Sequence, residues 1–382
     1  MVATAAVPTA PVSRDVVETT RDYESWVGSL TPLAPGELAI KHATMAEDRF
    51  SFFRATFYRW CETWPAVCPA LAEAPPVLGV ADLHVQNFGT WRDAEGRLVW
   101  GVNDFDEAAE VPYTQDLVRL ATSAALANGR RRARHVLGDS DFASLCAALL
   151  EGYRVSLATG GRPFVLAEDH DWLRALGAAS LKDPIRYWMK LDGFPEHQGP
   201  LPDGAREAVE AHLPPDVHGR YRVVRRRAGL GSLGRIRLVA IAEHAGGRVA
   251  REVKWIVPSA WTWVAGEPRP HRYPDVLARA VRCLDPFVRL HGSWLVRRLA
   301  PDCSRIELAT LPASHHRQYL LSLGWEVANI HLGSPAAVGD VLTHLRAQPD
   351  GWLVRAAADC LEMVRDDHRA WRAAWRAAQP AD

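Results

Sequence analysis

GLGSLGRIRLVAIAEHAGGRVAREVKWIV, residues 229–257, holds three glycines at Gly229, Gly231 and Gly234, then two alternating apolar runs parted by Ala245, Gly246 and Gly247. The alternation predicts a β-hairpin, because every second side chain of a half-buried strand faces the core. The glycines satisfy G-x-G-x-x-G, a spacing that lets backbone amides approach phosphate oxygens without interference from a Cβ. A dinucleotide fold would need a helix opening at the third glycine and an acid about 20 residues on. Here a strand follows instead, and the residue about 20 positions on is Lys254. Glycine loop, strand, turn and lysine on the next strand form one order in which a chain wraps phosphates. Gly229, Gly231, Ser232, Gly234 and Lys254 are therefore the candidate nucleotide contacts. The competing reading is a surface hairpin with a solvated lysine.

Two earlier segments supply the remaining parts of such a site. ADLHVQNFG (residues 81–89) places Asp82 five positions before Asn87, and VNDFDE (residues 102–107) brings Asp104, Asp106 and Glu107. Phosphoryl transfer needs a carboxylate to orient the acceptor and an amide and a carboxylate to hold magnesium. Asp82 takes the first role, with His84 beside it as a second catalytic-loop candidate, read as loop organiser ahead of general base or core histidine. Asn87 and Asp104 take the metal, with Asp106 as a further candidate and Glu107 near it. Residues 76–80 and 97–103 read as strands delivering Asp82 and Asp104, with Asp93 to Gly96 as turn chemistry between them.

The chain has 382 residues, 48% of them hydrophobic, enough for two or three compact lobes. Lys plus Arg and Asp plus Glu both total 45, so no global field steers it toward nucleic acid or membrane. The arginine clusters 130–134 and 225–227 read as solvated faces rather than nucleic-acid sites. Six scattered cysteines without a CxxC pair predict free thiols in a reducing compartment. The start lacks a signal-peptide pattern and no run of about 18 apolar residues follows, which predicts a cytoplasmic protein. Fifteen tryptophans, most in helical patterns, read as core packing.

Helical spacing predicts a helix over 45–64 stopped by Pro65, then helices over 115–128, 140–157 and 170–178. Ser140 or Asp141 would cap the second of these. After the hairpin come a helix over 273–284, strands over 287–290 and 293–299, and helices over 313–332, 338–347 and 351–377. Residues 1–14 read as a loose tail.

ADLHVQNFG, NDFDEA with DLVRLATS (residues 116–123), GLGSLGRIR and WEVANIHLGS (residues 325–334) together resemble the bacterial proteins grouped as domain of unknown function 2252. These are related to aminoglycoside and choline phosphotransferases. The resemblance implies an α+β, protein-kinase-like two-lobe fold with permuted element order, since the catalytic loop here precedes the glycine loop. It implies a helical catalytic lobe over 15–218, a β-rich nucleotide lobe over 219–305 and helices returning to the first lobe over 306–382. It also implies ATP and Mg2+ as cofactors and transfer of the γ-phosphate to a small-molecule hydroxyl or amine. Three departures stand out: Ala81 replaces the usual glycine, Trp255 the acid after the lysine, and the helix after Lys254 carries no glutamate to pair with it. They leave room for a catalytically silent nucleotide binder, and AMP transfer would use the same site. Residues 135–218, with Trp172, Arg186, Tyr187, Trp188 and Lys190, are the candidate acceptor region, and read equally well as ordinary amphipathic helix.

Overall fold

A computed structural model of the chain describes residues 14–129, 139–166, 168, 170–306, 308 and 311–379. Apart from Arg14, the expected tail lies outside these residues, as does the cluster 130–134. The chain is α+β, with helices dominating and three small sheets that are antiparallel throughout.

The first helix, Val16–Leu30, begins at a capping box: Asp15 accepts from the Glu18 amide while Glu18 reaches back to the Asp15 amide. The single helix expected over 45–64 is three, Pro35–Glu47, Arg49–Ala55 and Phe57–Val67. Asp48 leaves helical geometry and caps the second by accepting from the Ser51 amide at 2.9 Å. A short carboxylate that offers the backbone such a bond ends one helix and starts the next. Pro65 stops nothing, since the third helix runs on to Val67 with the proline inside its last turn.

The strands are β1 (Pro76–Gly79), β2 (Phe88–Arg92), β3 (Leu98–Val102), β4 (Ala109–Pro112), β5 (Phe164–Val165), β6 (Arg222–Arg225), β7 (Arg237–His244), β8 (Gly247–Trp255), β9 (Arg289–His291) and β10 (Trp294–Arg298). The two strands expected to flank Asp93 to Gly96 are not partners. β3 pairs with β2 across that turn, whereas β1 pairs with β4. The reading missed β2 because FGTWR is buried at its first four positions and shows no alternation.

β6 to β10 form one sheet in the order β6-β7-β8-β10-β9. The β7–β8 turn has Ala245 and Gly246 at positive φ (48° and 79°), the twist a two-residue hairpin loop requires. One face of the sheet packs Leu238, Ala240, Val253 and Val296 against Ala205, Ala208 and Val209 of the helix Ala205–Glu210. The other face is divided. Val224, Val239, Ile241 and Ala250 meet Leu191 of the helix Pro184–Asp192. The alternate positions nearer the hairpin's far end, Arg237, Glu252, Lys254 and Arg297, share that face by register.

The remaining core is helical, around Tyr113–Gly129, Asp139–Thr159, Ala313–His331 and Trp352–Ala377. Asp139–Thr159 and Ala313–His331 cross in close contact. A Cβ on Gly152 would overlap the Leu321 carbonyl and one on Gly324 the Leu149 carbonyl. Trp60, Trp64, Trp100 and Trp261 are core residues, as the composition suggested, and all six cysteines are free thiols. Among the described residues no helix is long and apolar enough to cross a membrane.

Candidate active site

The end of β1 turns sharply at Ala81, whose φ is 67°. A side chain in this left-handed region costs roughly 1–2 kcal/mol, which explains why a glycine is usual there. The buried carboxylate of Asp116 holds the turn by accepting from the Val80 amide at 2.8 Å and the Ala81 amide at 2.9 Å. Asp116 is itself fixed by Gln115 Nε2 at 2.9 Å and by His331 Nε2 at 3.1 Å, and Tyr153 Oη lies 2.8 Å from the other His331 nitrogen. Further along, Ser123 Oγ accepts from the Val85 amide at 3.0 Å.

This turn presents Asp82. Arg119 Nε donates to Asp82 Oδ1 at 3.0 Å, and Arg119 Nη2 meets the same oxygen. The guanidinium has no solvent exposure and lies over the rings of Phe53, Phe57 and Trp60 at 4.0, 4.8 and 5.0 Å. Burial pushes the Asp82 carboxyl above its ordinary range, with Arg119 working against that shift and Asp104 adding to it. Burial also drives His84 well below its usual value, helped by the positive charges of Arg54, Arg119 and Arg305. His84 is thus neutral, and its Nδ1 accepts from the Gln86 amide at 3.2 Å. Asn87 Oδ1 accepts from the His84 amide at 2.6 Å, which leaves that oxygen one further lone pair.

β3 delivers Asp104 and Asp106 opposite this loop. Lys254 of β8, only 2% exposed, forms an ion pair with Asp106, and its Nζ lies 3.8 Å from Asp104 Oδ1. The helix after Lys254 offered it no acid in the sequence; its partner comes from the loop after β3. Burial raises the Asp104 carboxyl, but Lys254, Arg297, Arg237 and Arg305 outweigh it and hold the group below the usual carboxylate range. Glu107 is buried rather than solvent-facing and accepts from the Ala260 amide at 2.7 Å. Burial pushes it up to about 8, against the charge of Arg235.

The glycine loop closes over these groups. Gly229 and Gly234 have φ of 75° and 97°, and residues 230–232 form one tight turn. Arg237 Nη2 donates to Ser232 Oγ at 2.9 Å. A Cβ on Gly231 would stand 3.0 Å from the Arg54 carbonyl and 3.9 Å from Asp82 Oδ2. The loop tip therefore rests directly above the first carboxylate. Beneath it lies a cavity of about 60 Å³ bordered by Asp82, His84, Asn87, Asp104, Asp106 and Gly231. A second cleft, about 820 Å³, adjoins it through Asp104, Gly229 and Arg305 and runs under the sheet past Arg237, Glu252 and Arg297. Its volume is that of a small-molecule site.

Asp82, His84, Asn87, Asp104, Asp106, Gly229, Gly231 and Ser232 thus border one small cavity, and Lys254 reaches its acids, whereas Gly234 stands apart from it beside Leu38. Asp104 Oδ1 and Asp106 Oδ1 are buried without a hydrogen-bond partner, which suits a cation. Among the described residues no group of three or more His, Cys, Asp or Glu side chains is arranged to hold a metal. Asn87 with two carboxylates is instead the sparse oxygen set magnesium takes when phosphate oxygens and water complete its shell. The reading of the sequence assigned no role to Asp116, Arg119, Arg235 or Arg305. Asp116 and Arg119 left a signal nonetheless: they are the two charges on a largely apolar helix, three positions apart, and such charges must be buried and paired. Of the substrate candidates, Tyr187 and Lys190 line the larger cleft. Trp188 stacks under Arg248 at 4.8 Å, and Trp172 stacks on His315.

Residues 33–174 match the family DUF2252, described as an uncharacterized protein conserved in bacteria. That stretch holds Asp82, His84, Asn87, Asp104, Asp106, Asp116 and Arg119; the glycine loop and Lys254 lie beyond it. No curated protein and no solved structure matches the chain.

Proposed function

We propose that the DUF2252 stretch and the five-stranded sheet facing it form an ATP-dependent phosphotransferase, a kinase-like enzyme of permuted element order. The observation that carries this reading is the approach of Lys254 Nζ to within 3.8 Å of Asp104, an acid that borders both the small cavity and the cleft of about 820 Å³. The glycine loop precedes β7, and Lys254 ends the third strand of the sheet in chain order, the placement kinases use.

In this reading Asp82 Oδ2 orients the acceptor hydroxyl or amine, while Arg119 fixes the carboxylate through Oδ1. Holding a nucleophile in line supplies much of the catalysis, because the transferring group needs little covalent help. Asn87 and Asp104 would hold magnesium, with Asp106 beside them; when bound, the metal offsets charge on the phosphate oxygens. Lys254, now paired with Asp106, would be the residue to hold a phosphate oxygen of ATP, and its compact ammonium suits that role. Neutral His84 braces the loop rather than taking the proton, since both its backbone amide and its Nδ1 hold loop groups in place.

Incubating the full chain with Mg-ATP and a metabolite mixture, and following nucleotides by mass spectrometry, tests the reading. ADP with a phosphorylated product is expected; AMP with an adenylylated product would replace phosphate transfer by nucleotide transfer. Failure to consume ATP, with no rise in melting temperature on adding Mg-ATP, would end both. A silent nucleotide binder has one observation in its favour: the space above Asp82 is only about 60 Å³ with the glycine loop in place. Nucleotide-dependent stabilisation without any product would select it.

A further inference from the structure

The larger cleft carries charge that an acceptor-neutral phosphotransferase does not need. Eight lysine and arginine side chains line it against three acids, Asp104, Glu252 and Asp285. Some of this charge is satisfied within the protein. Glu252 is paired with Arg226 and Arg237, Arg298 with Asp302, and Lys182 Nζ donates to the Cys303 carbonyl.

Arg282 and Arg297 are different. Arg282 lies over Trp91 and Phe105 at 5.0 and 4.8 Å and donates once, from Nη2 to the Val102 carbonyl, while its Nε and Nη1 are buried without a partner. The side chain of Arg297, central on the inner face of the sheet, makes no hydrogen bond or ion pair with any described residue. Lys190 at the rim pairs with none either. Enclosing the Arg282 guanidinium with unused donors is costly unless an anion completes it, and half-buried Arg297 offers its donors to the same cleft. The fixed fork of arginine matches phosphate and carboxylate groups. Nucleotide phosphates do not account for the excess, because Lys254 and the Asn87–Asp104 metal position already stand where they would lie.

We infer that the larger cleft seats a small molecule bearing phosphate or carboxylate groups, with Arg282 and Arg297 as its anion contacts; resting on the proposed reaction, that molecule is the acceptor. Its anionic end lies under the sheet and its reactive hydroxyl or amine reaches the cavity of Asp82 past Asp104, where the two spaces join. Neutral alcohols and sugars are then poor acceptors, and phosphorylated or polycarboxylate metabolites good ones.

Calorimetric titration of the full chain with inorganic phosphate and, separately, with citrate tests this, each with and without a saturating non-hydrolysable Mg-ATP analogue. Saturable binding of one anion in the presence of the analogue is expected, and the anion that binds more tightly identifies the headgroup. Arg282→Met and Arg297→Met should each weaken it about tenfold, ~1.4 kcal/mol, with analogue affinity changed less than about threefold. An unchanged melting temperature guards against misfolding, and Lys190→Met, at the exposed rim, serves as a second probe if either arginine variant fails to fold. Binding of neither anion, or loss of anion binding when the analogue is present, overturns the inference and returns these arginines to the nucleotide. If the analogue does not bind but the anions do as predicted, phosphotransfer falls and the anion site stands.

Discussion

The two loops that meet at the small cavity, residues 81–87 and 229–234, are built in opposite ways. The first is pinned from inside: Asp116, Ser123 and Arg119 hold its backbone and its carboxylate from a buried helix. The second is held by fewer bonds, among them the Ala34 amide donating to the Gly234 carbonyl at 2.8 Å and Arg237 Nη2 donating to Ser232 Oγ at 2.9 Å. Buried side-chain anchors fix a geometry, whereas few contacts near the surface let a segment open at low cost. The acidic loop is thus the more rigid and the glycine loop the freer to move, as the proposed phosphoryl transfer would require.

The largest effect should follow from the pinned side. Asp82→Asn is expected to slow product formation by ~10²–10⁴ with Mg-ATP affinity nearly unchanged, measured by single-turnover product release and calorimetry. Equal turnover in this variant would remove Asp82 from the mechanism. Asp116→Ala strips the acceptor from two backbone amides and from His331, and should cost roughly 3–5 kcal/mol in urea unfolding. A loss below about 1 kcal/mol would mean that the turn at Ala81 does not depend on it.

Smaller effects belong to the glycine loop. Gly234→Ala meets both a φ of 97° and Leu38 Cδ2 at 2.6 Å, so a loss of about 1–2 kcal/mol is expected. Gly231→Ala needs a shift of only a few tenths of an ångström and should alter Mg-ATP affinity a fewfold while leaving stability intact. Hydrogen exchange sharpens the contrast directly: the amides of Val80, Ala81 and Val85 should exchange far more slowly than those of 230–232.

A separate effect of pH belongs to the base of the β2–β3 hairpin. Glu326 is buried, accepts from the Val102 amide at 3.1 Å and is pushed up to about 7 by burial, with Arg282 opposing. Its folded value lies above its unfolded one, so the stability it contributes is complete below about pH 4.5 and lost as pH rises through 7. The slope in that window is at most about 1.4 kcal/mol per pH unit. Unfolding at pH 5 and pH 7.5 should show a smaller fall in Glu326→Gln than in the parent chain; an identical fall would assign the titration to another group.

Local chemistry made much of this legible. Alternation and the Ala-Gly-Gly turn placed β7 and β8, and helical spacing placed Val338–Ala347 at its observed bounds. The spacing of Asp82, Asn87 and Asp104 drew attention to two loops that the fold brings together, since the sharp turns that expose a carboxylate leave marks in sequence. Uniformly buried β2 left none, nor did the breaks at Asp48 and Thr56, where a polar side chain competes with the helix for backbone bonds.

The amino-acid order by itself determined which groups could bind phosphate and metal, because residue type and short-range spacing are local properties. Only the tertiary structure decided that Lys254 would find its acid in Asp106, that Arg119 would grip Asp82, and that Arg282 and Arg297 would share one cleft. Those pairings join segments far apart in the chain, and burial enforces them: an enclosed charge must meet whatever opposite charge the packing of helices and sheet brings to it.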